Sequence, residues 1–287
     1  MLVIIGALVV TFSVIGGFMM AGGHVGALVQ PSEFVVILGA ALGALIIMAP
    51  KKVLLDMVGQ IKGTLKGSPY NKAAYEELLK ALYELFMLGR RNGMIALEEH
   101  VLKPEESSIF TKYPKFLADH HAVEFLCGAL RPVIDGKVKP DQLKALLEIE
   151  MDAAEEEHHQ PVSVLTKTSD AMPGFGIVAA VLGIVVTMAS IGGPVSEIGH
   201  HVAAALVGTF LGILVSYGYI SPLVVNIELT GAAHMAYTRC LASAVVGFAN
   251  GMAPLMAVEV ARRGLSSDVK PTSDQLEEML KSLNAKK

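Results

Sequence analysis

From Met1 to Ser32 the chain carries no Asp, Glu, Lys or Arg, and after Glu33 alone the charge-free pattern resumes from Phe34 to Pro50. Two more such runs follow, Ala171 to Ile191 and about Val202 to Ile220. An uncharged apolar stretch of about 20 residues matches the hydrocarbon thickness of a bilayer, and a helix satisfies its own backbone hydrogen bonds where no water can do so. This distribution demands membrane spans rather than one water-soluble core. The composition agrees, with 53% hydrophobic and 17% charged residues and a mean hydropathy of +0.53. We expect four helices, Leu2 to Met20, Phe34 to Met48, Ala171 to Ile191 and Val202 to Ile220. The link Ala21 to Ser32, with Gly22, Gly23 and Pro31, and the break at Gly192-Gly193-Pro194 pair them into two hairpins.

Lys and Arg beside span ends mark the cytoplasmic side. Lys51, Lys52, Lys62 and Lys66 follow the second span, Lys167 precedes the third and Arg239 follows the fourth, whereas both short links lack them. Both termini and the long middle segment are therefore expected in the cytoplasm. No cleaved leader is expected, because Met1-Leu2-Val3-Ile4 has no positive start and the apolar run is long. Cys240 to Val258 is a further 19 residues without Asp, Glu, Lys or Arg. Asn250, Pro254, Gly247 and Gly251, and the lysines of the tail beyond, argue against a fifth span and for a cytoplasmic continuation buried against its neighbours.

Of the chain's 23 Lys and Arg, 16 lie between Lys51 and Asp170, with 19 of its 27 Asp and Glu, so this stretch reads as a folded helical domain in water. Leu78, Leu79, Leu82, Tyr83, Phe86 and Met87 recur at helical spacing up to Arg91, and Gly93 breaks the pattern. A second helix is expected from Asp141, after Pro140, to the acidic run Glu155-Glu156-Glu157. The expected class is an all-α membrane protein: a transmembrane hairpin (1–50), a cytoplasmic helical domain (51–170), a second transmembrane hairpin (171–227) and a cytoplasmic C-terminal helical segment (228–287).

Much chemistry is excluded. A net charge of −4 gives no basic surplus for nucleic acid, and Cys127 and Cys240, in segments read as cytoplasmic, read as reduced, buried thiols. No phosphate loop of the G-x-x-x-x-G-K-[ST] type occurs. Gly174-Phe175-Gly176-Ile177-Val178-Ala179 matches a dinucleotide fingerprint in letters only, since it opens an apolar helix and follows no strand. His120-His121 with Glu124, and Glu155 to His159, hold metal-ligand types without a convergent set, so no metal and no cofactor is expected. No spacing of Ser, Cys and His carries a catalytic mechanism, and the chain is not read as an enzyme.

The spans are informative through what they lack. An ion path in lipid usually marks itself with a carboxylate, His or Lys. Here Glu33 and Glu197 are expected near the outward-facing ends, Glu33 as a charge favoured by a helix N-terminus, so another chain would have to bring the mid-membrane carboxylate. Ala179, Gly183 and Thr187, and Ala204, Gly208, Gly212 and Ser216, form stripes of small residues that suit close packing, either within one subunit or against a partner helix. Thr187 and Thr209 offer hydroxyls to an ion or water file. Pro173 enters the third helix and Pro222 leaves the fourth, as punctuation or as functional kinks.

These residues carry a resemblance. Gln30-Pro31-Ser32-Glu33, Gly89-Arg90-Arg91-Asn92-Gly93-Met94-Ile95-Ala96-Leu97-Glu98, Met172-Pro173-Gly174-Phe175-Gly176 continuing to Val181, and Val207-Gly208-Thr209-Phe210 continuing through Tyr217-Gly218 to Ser221-Pro222 resemble flagellar motor stator subunits of the MotA type, within the MotA, TolQ and ExbB proton channel family. The resemblance implies a homopentamer around a MotB dimer, whose membrane helix brings the ion-binding Asp and whose outer domain grips peptidoglycan. It implies that Arg90 and Glu98 engage the rotor protein FliG and that Pro173 and Pro222 couple ion passage to movement. By the same resemblance Ala180, Thr187, Thr209 and Tyr217 line the ion path and the contact with the MotB helix, in a bacterial inner membrane. The pair Ala179-Ala180 resembles proton-driven rather than sodium-driven members. Arg91 and Glu99 double the two loop charges. The alternative within the family is an energiser of the TolQ or ExbB type, from which the fourth span and the Arg90 to Glu98 string separate this chain.

Overall fold

The computed structural model describes residues 2–189 and 191–284, and every regular element among them is helical. In chain order the α-helices are α1 (Leu2–Met20), α2 (Pro31–Met48), α3 (Lys51–Lys66), α4 (Lys72–Asn92), α5 (Glu98–Leu102), α6 (Pro114–Leu117), α7 (His120–Ile134), α8 (Pro140–Ala189), α9 (Val195–Ile213), α10 (Ser221–Ala249), α11 (Pro254–Arg263) and α12 (Ser273–Asn284); short 3-10 turns lie between some of them, and a π-helical segment, Leu214–Ile220, joins α9 to α10. Packing divides the chain into an apolar unit, Met1–Gly67 with Glu157–Thr230, and a charged unit, Ser68–Glu156 with Gly231–Lys287. Helices α8 and α10 contribute to both.

In the apolar unit α1 buries none of its residues, and Leu2, Phe12 and Met20 stand out from it as on a helix solvated by lipid. Its Thr11 hydroxyl meets the Tyr219 hydroxyl at 2.8 Å. Helix α2 turns Glu33, Ile37 and Ala41 inward at helical spacing, and Ile37 and Ala41 pack with Met172, Ala179 and Leu211. Helix α3 lays Met57 against Val162, Leu165, Val224 and Ile227. Among the described residues four helical stretches are long and apolar enough to cross a membrane, Leu2–Met20, Val25–Met48, Pro140–Ala189 and Val195–Ala249.

Two expectations are corrected. The helix that starts at Pro140 does not end at Glu155-Glu156-Glu157, and the third span is no separate helix; α8 is one helix of 50 residues with Pro161 and Pro173 inside it. Pro173 has no N–H to give the Ser169 carbonyl four residues back, and that carbonyl instead accepts the Ser216 hydroxyl at 2.7 Å. Nor does Pro222 leave the fourth helix. The turn before it widens into the π-helical segment, where the Ser221 N–H bonds the Ser216 carbonyl five residues back, and the chain continues as α10. Widening ahead of a proline relieves the clash of its ring with the preceding turn.

The charged unit has one core, in which α4 contributes Leu78, Leu79, Leu82, Leu85 and Phe86. The run beginning at Cys240 is packed into this core through Leu241, Ala244, Val245 and Phe248, with Phe86 and Phe248 stacked at 4.3 Å. Gly251, at φ +80°, turns the chain into α11. Glu84 is buried and takes the Lys112 ammonium at 2.9 Å and the Tyr113 hydroxyl at 3.2 Å.

Candidate functional site

Helices α8 and α9 meet on glycines. A Cβ on Gly176 would stand 2.9 Å from the Gly208 carbonyl oxygen and 3.3 Å from the Cα atoms of Gly212 and Thr209. One on Gly212 would stand 2.7 Å from the Met172 carbonyl oxygen, and one on Gly183 2.8 Å from the Ala205 Cβ. Backbone atoms cannot retreat from such contacts, so the seam exists because these positions lack side chains. Gly183, Gly208 and Gly212 of the two stripes are thus used for contact within one chain.

The residues singled out along the seam fall into three kinds. Thr187 is buried and its hydroxyl donates to the Gly183 carbonyl at 2.8 Å, so it is occupied by its own helix. Ser169 and Ser216 are buried and joined three times, hydroxyl to hydroxyl at 3.2 Å, Ser216 hydroxyl to Ser169 carbonyl at 2.7 Å and Ser169 hydroxyl to Ser216 carbonyl at 3.4 Å. Ser169 escapes a reading of the sequence; its signal is its place four residues before Pro173. Ala180 and Thr209 are half-buried, as is Pro173, while Tyr217 is 62% exposed and Pro222 is exposed. Gly176 brings α8 onto the Thr209 backbone, one turn from Ala180.

Glu33 departs from expectation. It keeps its place in the first turn of α2 but is only 5% exposed, with Oε1 3.5 Å from the Ser32 hydroxyl and Oε2 buried without a hydrogen-bond partner. Oε2 occupies the space left by the missing side chain of Gly208, beside Ala179. Gly208 lies thirteen residues into α9, and Ala179 ten residues before the end of α8. At about 1.5 Å per residue these are depths of about 20 and 15 Å, so the carboxyl lies beside the middle of the second hairpin.

In the charged unit, Arg90 and Arg91 end α4, Gly93 at φ +86° reverses the chain, and a short 3-10 turn, Met94–Leu97, leads to Glu98 at the start of α5. Leu97 is buried, and a Cβ on Gly89 would stand 3.0 Å from it and from Phe248, which pins this edge to the core. Arg90, Arg91, Glu98 and Glu99 are all exposed. Neither Arg90 nor Glu98 forms an ion pair among the described residues. Arg90 borders a cleft of about 410 Å³ with Met94, Val133 and Phe248, and Glu98 borders one of about 230 Å³ with Leu102, Arg131 and Asp135. Ile95 between them is 77% exposed.

Elsewhere in this unit perturbed groups serve structure. Burial, with the Glu84 carboxylate, holds the Tyr113 phenol well above its ordinary range, and burial pushes the Cys127 thiol up to about 11. No group of three or more His, Cys, Asp or Glu able to hold a metal occurs among the described residues.

Four membrane-length helical stretches, a glycine-tight helix pair and a separate charged unit define a helical integral membrane protein. Residues 4–93 match the family model for the motility protein A N-terminal region, and residues 118–227 match that of the MotA/TolQ/ExbB proton channel family. The chain is 40% identical to Motility protein A of Salmonella typhimurium over 283 residues, covering 99% of this chain and 96% of the relative. It is also 40% identical to chemotaxis protein LafT of Vibrio parahaemolyticus over 276 residues, 96% of this chain and 97% of that one. The fold matches the C. jejuni MotAB structure at a TM-score of 0.78 and 21% identity over 93% of this chain and 96% of that one. It matches the flagellar MotAB stator complex from Bacillus subtilis at 0.75 and 22%, over 96% and 98%. The chain belongs to the motility protein A (MotA) family of flagellar stator proteins, within the MotA/TolQ/ExbB proton channel family.

Proposed function

We propose that this chain is the ring-forming stator subunit of a flagellar motor, working with MotB in the bacterial inner membrane as a proton-driven machine. The observation that carries the reading is the match of residues 4–93 to the motility protein A N-terminal model, because that segment holds the first hairpin and Arg90. In this reading both termini and the charged unit lie in the cytoplasm, and five copies surround a MotB dimer whose membrane helix bears the ion-binding Asp.

Protons descend along the contact between that helix and the face bearing Ala180, Thr209 and Tyr217, with the buried Thr187, its hydroxyl held by the Gly183 carbonyl, behind that face. One elementary charge yields about 2.3 kcal/mol per 100 mV, a scale that suits rigid movement of a preformed ring rather than unfolding of a domain. The glycine seam supports such rigidity, since it leaves α8 and α9 no slack to slide apart. Pro173 and Pro222 flank the Ser169–Ser216 link and the π-helical turn, which offers the hairpin a place to flex. Arg90 and Glu98, exposed and unpaired, push on complementary charges of FliG; charges of this kind govern encounter and register more than affinity.

The test is swimming of a flagellated strain lacking its own stator, complemented with this chain and its cognate MotB, across sodium concentrations and with a protonophore. Swimming that ignores sodium and stops with the protonophore is expected. Swimming that scales with sodium would overturn the ion. No swimming, with both proteins inserted and a cognate FliG present, would favour an energiser of the TolQ or ExbB type.

A further inference from the structure

We infer that Glu33 is a second proton-holding site on the ion route, carried by this chain in addition to the carboxylate that its partner brings. The inference rests on the proton-driven reading above and adds a station to it.

Three observations carry it. First, Glu33 is only 5% exposed and its Oε2 is buried with no hydrogen-bond partner, a state that a bare carboxylate in apolar surroundings does not sustain without a compensating positive charge or a proton. Second, no fixed positive charge is available from the elements packed around it. Helix α2 contains no other charged residue, α8 has none from Ala171 to Ala189, and α9 has Glu197, His200 and His201 but no Lys or Arg. His201 is seven residues before Gly208 and lies 3.9 Å from Glu197, and His24 precedes the 3-10 turn Val25–Leu28 that touches α9. None of these forms an ion pair with Glu33 among the described residues.

Third, the space is shaped for the carboxyl and for little else. Any Cβ at Gly208 would collide with Oε2, and Ala179 closes the other side. A hard metal cation gathers several oxygen ligands, whereas among the described residues the carboxylate's hydrogen-bond partner is one hydroxyl, that of Ser32. A proton needs one oxygen. Taking it on Oε2 converts the carboxylate to the neutral acid, and giving it up restores the charge. Thr209 and Ala180, both assigned above to the ion path, follow Gly208 and Ala179 in sequence.

The experiment is infrared difference spectroscopy on the purified complex of this chain with MotB, stepped in pH, with sodium added or withheld. Wild type is expected to show a carboxylic acid C=O band that is lost in Glu33→Gln, an isosteric change, and that does not respond to sodium. Gly208→Ala, which forces Oε2 aside, is expected to shift the band. A Glu33→Gln spectrum identical to wild type, a band that moves with sodium, or a band unmoved by Gly208→Ala would each overturn the site. A Glu33 band with these properties in a complex that conducts no protons would support the site and count against the stator reading.

Discussion

Replacing Glu259 by glutamine tests how firmly the edge that bears Arg90 is held, because α11, which carries Glu259, packs on α4. The carboxylate accepts the Arg262 Nε and Nη2 at 2.7 Å each and the Arg263 Nε at 3.0 Å, while Arg262 also donates to the Pro271 carbonyl at 2.8 Å and the Ser273 hydroxyl at 3.0 Å. These bonds, the Arg262 bond above all, hold the Glu259 carboxyl down from 4.5 to about 2. A carboxyl depressed by folding binds fewer protons in the native state, so its stabilisation is complete above the unfolded value and is lost as the pH falls from 4.5 towards 2. At about 1.4 kcal/mol for each factor of ten in proton affinity, the pair contributes about 3 kcal/mol at neutral pH. Glutamine keeps the volume and one acceptor oxygen, so a loss of about 2–3 kcal/mol is expected, or about 30- to 150-fold in the equilibrium for opening this unit. The chain's two cysteines, Cys127 and Cys240, are both buried in this core and report opening by their labelling rates in an acid-active disulfide reagent, normalised to unfolded protein. The variant should label faster by that factor at pH 7, with the difference shrinking below pH 4.5. A change under about threefold at pH 7, as for an exposed ion pair, or a difference undiminished near pH 2 would refute the reasoning.

Two further outcomes follow from the sites. Reversing Arg90 or Glu98 singly should impair swimming while shifting stability by no more than about 0.5 kcal/mol, since both are exposed and neither has an ion-pair partner among the described residues, and double reversal with Arg91 or Glu99 should be more severe. Swimming assays with membrane immunoblots check this, and lost membrane protein would make the residues structural. Ser216→Ala should strand the Ser169 carbonyl in a fully buried place, cost about 1–3 kcal/mol and lower the melting temperature in detergent, with Ser216→Thr restoring part of it; an unchanged melting temperature would mean that the carbonyl is satisfied without this hydroxyl.

Local signals made much of the fold legible. Leu2–Met20 is readable from missing charges alone, and α4 from its leucine spacing and from Gly93. What escaped depends on distant partners. Pro173 reads locally as a helix entry, and only a hydroxyl 47 residues away lets α8 run through it. Glu33 reads locally as a charge suited to a helix start, which explains its residue type well enough to hide its burial; the cue was Gly208, whose missing side chain makes room for it. Arg90 and Glu98 are exposed charges among many, and spacing alone gives them no role.

The glycine seam also dictates where water cannot go. Where a single Cβ at Gly176 or Gly212 would already press on backbone atoms, a water molecule, which occupies about 30 Å³ in the liquid, has no room. Helices α8 and α9 therefore act as one watertight wall along that seam. In the proposed stator a conducting file would then run over the wall's outer surface, and closing it would be a matter of how a neighbour seats on the hairpin rather than of prying its helices apart.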